Sequence, residues 1–120
     1  MSKLVKVAKL HRKSAELASA LNSGLKIKIE LAVGKLWKSV SDLAPEVVQS
    51  KLWRAESKGQ HIFIEPEDIH AYIKLQSALS MLATASFLNH PQVNAVAQIK
   101  FYLEFICTTH NINHEHVITY

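Results

Sequence analysis

Apolar residues recur along this chain at three- and four-residue spacing, the period of helices that bury one face. Residues 3–22 predict a first helix. Leu4, Ala8, Ala15, Ala18 and Leu21 lie near one side of it, and Lys3, Lys6, Lys9 and Lys13 on another. Ser23-Gly24 is a natural stop, because glycine accepts the left-handed conformation that closes helix ends. Residues 25–33 carry two patterns. They alternate like a half-buried strand, and they also begin a helical series of Leu25, Ile29, Ala32, Leu36, Val40 and Leu43. The helical series is longer and favours a helix. Gly34 inside it costs about 1 kcal/mol relative to alanine, which leaves room for a kink or break there.

Pro45 suits the first turn of a further helix, read over residues 45–58. Val47, Val48, Leu52 and Ala55 would face inward, with Trp53 at the edge. His61-Ile62-Phe63-Ile64 reads as a short extended segment. Glu65-Pro66-Glu67-Asp68 then sets proline and acids at a helix start, where they suit its free N–H groups and dipole. Between Lys74 and Lys100 there is no formal charge. The apolar core of that stretch, Ala78–Leu88, has small or apolar residues on almost every face, so other helices or a partner should wrap it. Asn89-His90-Pro91 breaks the stretch and starts a return helix over 91–109, antiparallel to the first. Leu79, Leu82, Phe87, Val96, Ile99, Leu103 and Ile106 should be buried. The expected fold is an all-α, single-domain bundle of about five helices over residues 1–109, with one extended segment near 61–64 and a His-rich tail over 110–120.

Composition narrows this picture. The chain's 120 residues suffice for one core, and three glycines and three prolines favour long helices over a many-turned β fold. The single cysteine, Cys107, excludes an internal disulfide framework and makes a reduced compartment, and so a cytoplasmic location, the expectation. The N-terminus interleaves charge too often for a signal peptide. The uncharged stretch is interrupted by Gln76, Asn89, His90, Pro91, Gln92, Asn94 and Gln98, so no membrane span is expected.

Charge is unevenly spread. Residues 1–60 hold twelve Lys/Arg and five Asp/Glu, net +7, and residues 61–120 hold two and five, net −3. Lys3, Lys6, Lys9, Arg12, Lys13, Lys26, Lys28, Lys35, Lys38, Lys51, Arg54 and Lys58 therefore stand as candidate contacts to a DNA or RNA phosphate backbone. The competing reading is that helices need solvated faces and lysine forms helices well. Only Trp37 and Trp53 could offer aromatic stacking in this half.

Three further patterns carry chemistry. Cys107-x2-His110-x3-His114-x-His116 has metal-competent donors, but its spacing matches no established zinc pattern, and no metal or other cofactor is expected. Arg54-x6-His61 resembles the Arg-x4–6-His pair of HEPN ribonucleases, which are helical and complete their site across a dimer. Here Gly59 interrupts the helix, and Ala55 stands where that family places a polar residue. No catalytic constellation is found, and a non-enzymatic protein is expected. The run Gly59–Ile73, a strand followed by Glu-Pro-Glu-Asp-Ile-His-Ala-Tyr-Ile, resembles the end of excisionase-type winged helices. That resemblance implies a helix-turn-helix opening at Ser39–Ala44, with residues 45–58 as the recognition helix presenting Lys51, Arg54 and Lys58. The turn before it is several residues shorter than that family uses.

Two functions follow as expectations. One is a non-enzymatic, nucleic-acid-associated accessory protein, or a small DNA-binding regulator. In size, helicity and charge it resembles the small helical subunits of CRISPR effector complexes. The other is a protein-binding regulator or inhibitor of phage or plasmid type, whose apolar helix surface docks a protein partner or a second copy. Whether Ser77, Ser80, Thr84 and Ser86 pack internally or face outward separates the two.

Overall fold

The computed structural model describes residues 2–54 and 67–118. In chain order its helices are α1 (Lys3–Ser23), α2 (Lys26–Leu43), α3 (Pro45–Ser50), α4 (Asp68–Leu88), α5 (Val93–Thr109) and α6 (His114–Val117). The fold is all-α among the described residues. The expected extended segment at 61–64 lies outside them.

Local chemistry explains most helix ends. Ser2 caps α1, its Oγ accepting from the Val5 N–H. Gly24 closes the helix at φ 71, in the left-handed region where glycine carries no steric penalty. Asp68 occupies the first turn of α4, and Asn89 ends that helix at φ 53. Two antiparallel hairpins result, α1–α2 and α4–α5. They pack together through α1 on α4 and α2 on α5.

Leu10 and Leu17 of α1, Ile29, Leu36 and Val40 of α2, Leu75, Leu79 and Leu82 of α4, and Val96, Ile99, Leu103 and Ile106 of α5 form one continuous core. The radius of gyration, 13.2 Å, is that of a compact domain of about this size. No described helix is long and apolar enough to cross a membrane.

Several expectations need correction. In α1 the inward face is Val7, Leu10, Ser14, Leu17 and Ala20, while Leu4 is 69% exposed and Ala8 and Ala15 face out. The larger side chains decide the face, since burying Val and Leu removes more apolar area from water than burying alanines. Phe87 is 49% exposed, because Ser86 takes the inward position and the next residue is turned about 100° away. Helix α2 runs through Gly34 without a break, as the longer helical series favours.

Helix α3 stops at Ser50, not 58. Lys51 turns left-handed at φ 61 and donates its N–H to the Val47 carbonyl. That turn leaves Leu52 61% exposed and drives Trp53 fully inside. Residues 110–118, set apart in the sequence by their histidines, close the bundle: Ile112 and Ile118 are buried in the core, and α6 packs on α2 and α5.

Candidate nucleic-acid interface

The tight Gly24-Leu25 connection lays α1 and α2 side by side, which brings lysines far apart in sequence to one outer groove. At one end the groove is lined by Lys6 and Lys9 of α1 and Ser39 and Asp42 of α2. At the other it is lined by Glu16, Ser19 and Ser23 of α1 and Lys28, Leu31 and Lys35 of α2. Lys28, Lys35 and Asp42 are spaced by seven, which keeps them on one side of α2. The groove is about 27 Å long at 1.5 Å per residue of α2, comparable to about eight base-pair steps at 3.4 Å.

Its charge is partly cancelled. Lys9 Nζ lies 3.6 Å from Asp42 Oδ2, and Lys13 Nζ lies 3.3 Å from Glu16 Oε2. Lys6, Lys28 and Lys35 have no ion pair among the described residues. Neither has Lys38, which sits beyond the rim of the groove in a cleft shared with Pro45 and Val48 of α3.

The remaining basic residues do not join this surface. Lys3 donates to the Ser86 carbonyl at 2.9 Å and to Asn89 Oδ1 at 2.7 Å, so it closes the C-terminal end of α4. Arg12 points away from the groove on the exposed side of α1, and Lys26 lies about 200° around α2 from Lys28. Lys51 sits in the left-handed turn after α3. The Arg54 guanidinium lies 5.7 Å from the Trp53 ring centroid. Lys58 lies outside the described residues, as does His61 of the Arg54-x6-His61 pair. The single recognition helix read over residues 45–58 is interrupted, since α3 ends at Ser50 and Lys51 turns left-handed before Arg54.

Both tryptophans are core residues. Trp37 is 1% exposed and Trp53 0%, so neither can stack on a base. In the described part of this half, the side chains left to meet a phosphate backbone are those of lysine and arginine.

The tail donors diverge. Cys107 is fully buried; its burial and the nearby carboxylates of Glu104 and Glu30 push the thiol up to about 12. His110 Nε2 meets Asp68 Oδ2 at 2.7 Å, His114 Nδ1 lies 3.8 Å from Glu104 Oε1, and His116 is exposed. Among the described residues no three His, Cys, Asp or Glu side chains converge as a metal site. A second polar cluster lies between α1 and α4, where the Tyr72 hydroxyl donates to the Ser14 carbonyl at 3.1 Å and Gln76 Nε2 donates to Ser14 Oγ. It satisfies the buried Ser14 hydroxyl and ties the two hairpins together.

Comparison with known protein families, with curated proteins and with solved structures finds no match. A functional reading therefore rests on the groove and on one other surface. Helix α4, uncharged after Lys74, is covered on one side only among the described residues. Ser86 packs inside, while Ser77, Ser80 and Thr84 face out between Ile69 and Ile73, each 56% exposed, and Phe87 and Leu88, 49% and 56% exposed. Periodicity could not reveal this face, because a helix apolar nearly all round does not say which side its own chain covers.

Proposed function

We propose that this protein is a non-enzymatic accessory protein that holds a nucleic-acid phosphate backbone along the α1–α2 groove, as a subunit or regulator of a nucleoprotein complex. One observation carries the reading: Lys6, Lys28 and Lys35, drawn from two helices, line a single groove with no acid paired to them among the described residues. Contacts made by lysine ammonium groups, in a groove whose described lining holds no aromatic side chain, favour backbone binding over base readout. The three available cations of the groove imply a slope of log affinity against log salt of about −2.7 on duplex DNA. Fluorescence anisotropy with a labelled duplex and a labelled single strand, titrated at several salt concentrations, tests it. Binding that is absent at low salt, or insensitive to salt, removes the proposal.

A second reading is a protein-binding regulator acting through an apolar helix surface. It is favoured by the exposed face of α4, which carries Ile69, Ile73, Phe87 and Leu88 and one charge, Lys74.

A further inference from the structure

We infer that a second copy of this chain covers the exposed face of α4, with the two α4 helices crossing antiparallel about a two-fold axis near Ser77 and Ser80. The inference rests on the second reading above and names its partner; it is independent of phosphate binding.

Isolated apolar side chains on a surface are ordinary, but several large ones gathered at both ends of one helix face, with the small Ser77, Ser80 and Thr84 between them, are not. Ile69, Ile73, Met81, Phe87 and Leu88 are between 38% and 56% exposed, and all lie on the side of α4 opposite the buried Leu75, Leu79 and Leu82. The same surface continues onto α1, packed beside α4, through Leu4 at 69% exposure and the outward Ala8 and Ala15. Helix α4 has 21 residues. At 1.5 Å per residue it is about 31 Å long, and with its α1 flank about 20 Å wide, so pairing two copies would cover about 1,200 Å² in total, within the range of specific interfaces.

The arrangement of residues fits self-pairing. In a two-fold antiparallel pair, residues near the middle of the helix meet at the axis and the two ends exchange partners. The middle of this face holds the small residues Ser77 and Ser80, which let the backbones approach. Its ends hold the large ones, so Ile69 of one copy would meet Phe87 and Leu88 of the other, and Ile73 would meet Thr84. Charge selects the same direction. A parallel pair would set Lys74 against the second copy's Lys74. The antiparallel pair sets it instead toward the C-terminal half of the other α4, away from that copy's Lys74. The α1–α2 groove is on the other flank of α1 and stays open on each copy.

Sedimentation velocity on nuclease-treated full-length protein tests this. The expected species is twice the 13.5 kDa chain mass, with Ile73→Asp and, separately, Met81→Asp weakening association at least tenfold. Both side chains are exposed, so each variant should keep the helical circular dichroism and melting temperature of the parent. Ser80→Cys, close to the axis, should form an intermolecular disulfide under mild oxidation, whereas Ser19→Cys in the basic groove should not. A monomer at about 100 µM, well above a micromolar dissociation constant, overturns the inference and leaves the face to a different protein. A dimer unchanged by both aspartates also overturns it, and a dimer that Ser80→Cys fails to cross-link overturns the antiparallel axis. No arm contains nucleic acid, so failure of the phosphate-binding proposal would not alter these outcomes.

Discussion

Trp53 stands edge-on to Trp37, with ring centroids 5.4 Å apart and planes inclined at 67°. This T-shaped pair joins the chain after α3 to the middle of α2. Its polar edge is satisfied, since Trp53 Nε1 donates to the Val48 carbonyl at 3.2 Å, and Lys100 Nζ lies 5.4 Å from the ring centroid. Removing Trp53 leaves a cavity that its surroundings relax into only in part. Trp53→Ala should therefore cost about 3–5 kcal/mol, and Trp53→Phe less, since the ring contact survives and only the indole donor is lost. Urea denaturation followed by circular dichroism measures both; a Trp53→Ala loss below about 1 kcal/mol would contradict the buried placement.

How far the sequence could be read is clearest at this pair. The helices α1, α2, α4 and α5 were legible because each is long, because α1, α2 and α5 are periodic and α4 has a proline-and-acid start, and because glycine, asparagine and proline mark the breaks between them. The phase of α1 was not, because its alanines offered a second stripe and only packing chooses between stripes. Trp53 was misplaced because nothing in residues 45–58 announces the left-handed turn at Lys51. The groove was legible as a count of lysines but not as a surface, because Lys3 and Lys9 are drawn into contacts with Asn89 and Asp42 that only the fold brings about.

Two glycines should respond in opposite directions to the same substitution. Gly34 lies within α2, where an added Cβ would meet only the Val117 carbonyl oxygen at 3.9 Å, an ordinary contact. Gly34→Ala should therefore stabilise by about 0.5–1 kcal/mol through helix propensity. Gly24 has open space around it but φ +71. Gly24→Ala should cost about 1 kcal/mol, because an L-residue is strained in the left-handed region. Thermal melts should show the first variant above the parent and the second below it, by about 4 °C each.

Cys107 predicts a loss of stability in alkali. Its folded thiol, pushed up to about 12 from 9.0, remains protonated after the unfolded thiol has ionised. The unfolded chain thus binds fewer protons between these values, and stability must fall as pH rises through that window, by at most about 1.4 kcal/mol per pH unit. Below pH 9 the thiol is neutral in both states and contributes no slope. Cys107→Ala keeps every other titrating group, so the difference between its stability curve and the parent's isolates the thiol. That difference should be flat below pH 9 and turn in favour of the variant above it. A difference that stays flat through pH 11 would refute the prediction.

The groove makes a positional prediction that net charge alone does not. Lys28→Glu and Lys26→Glu change the charge of the protein equally and stand two residues apart on α2, but about 200° apart around it. Lys28 lines the groove with Lys35; Lys26 does not. If phosphate lies along the groove, Lys28→Glu should weaken nucleic-acid binding and make the salt slope shallower by about one unit, with Lys28→Glu and Lys35→Glu together approaching two. Lys26→Glu should leave the slope near that of the parent and shift affinity only through the long-range field, an effect that fades as the Debye length shortens to about 8 Å at physiological salt. Anisotropy titrations at three salt concentrations decide between the readings. Equal losses from the two single reversals would mean that charge attracts the ligand diffusely and that the groove is not its seat.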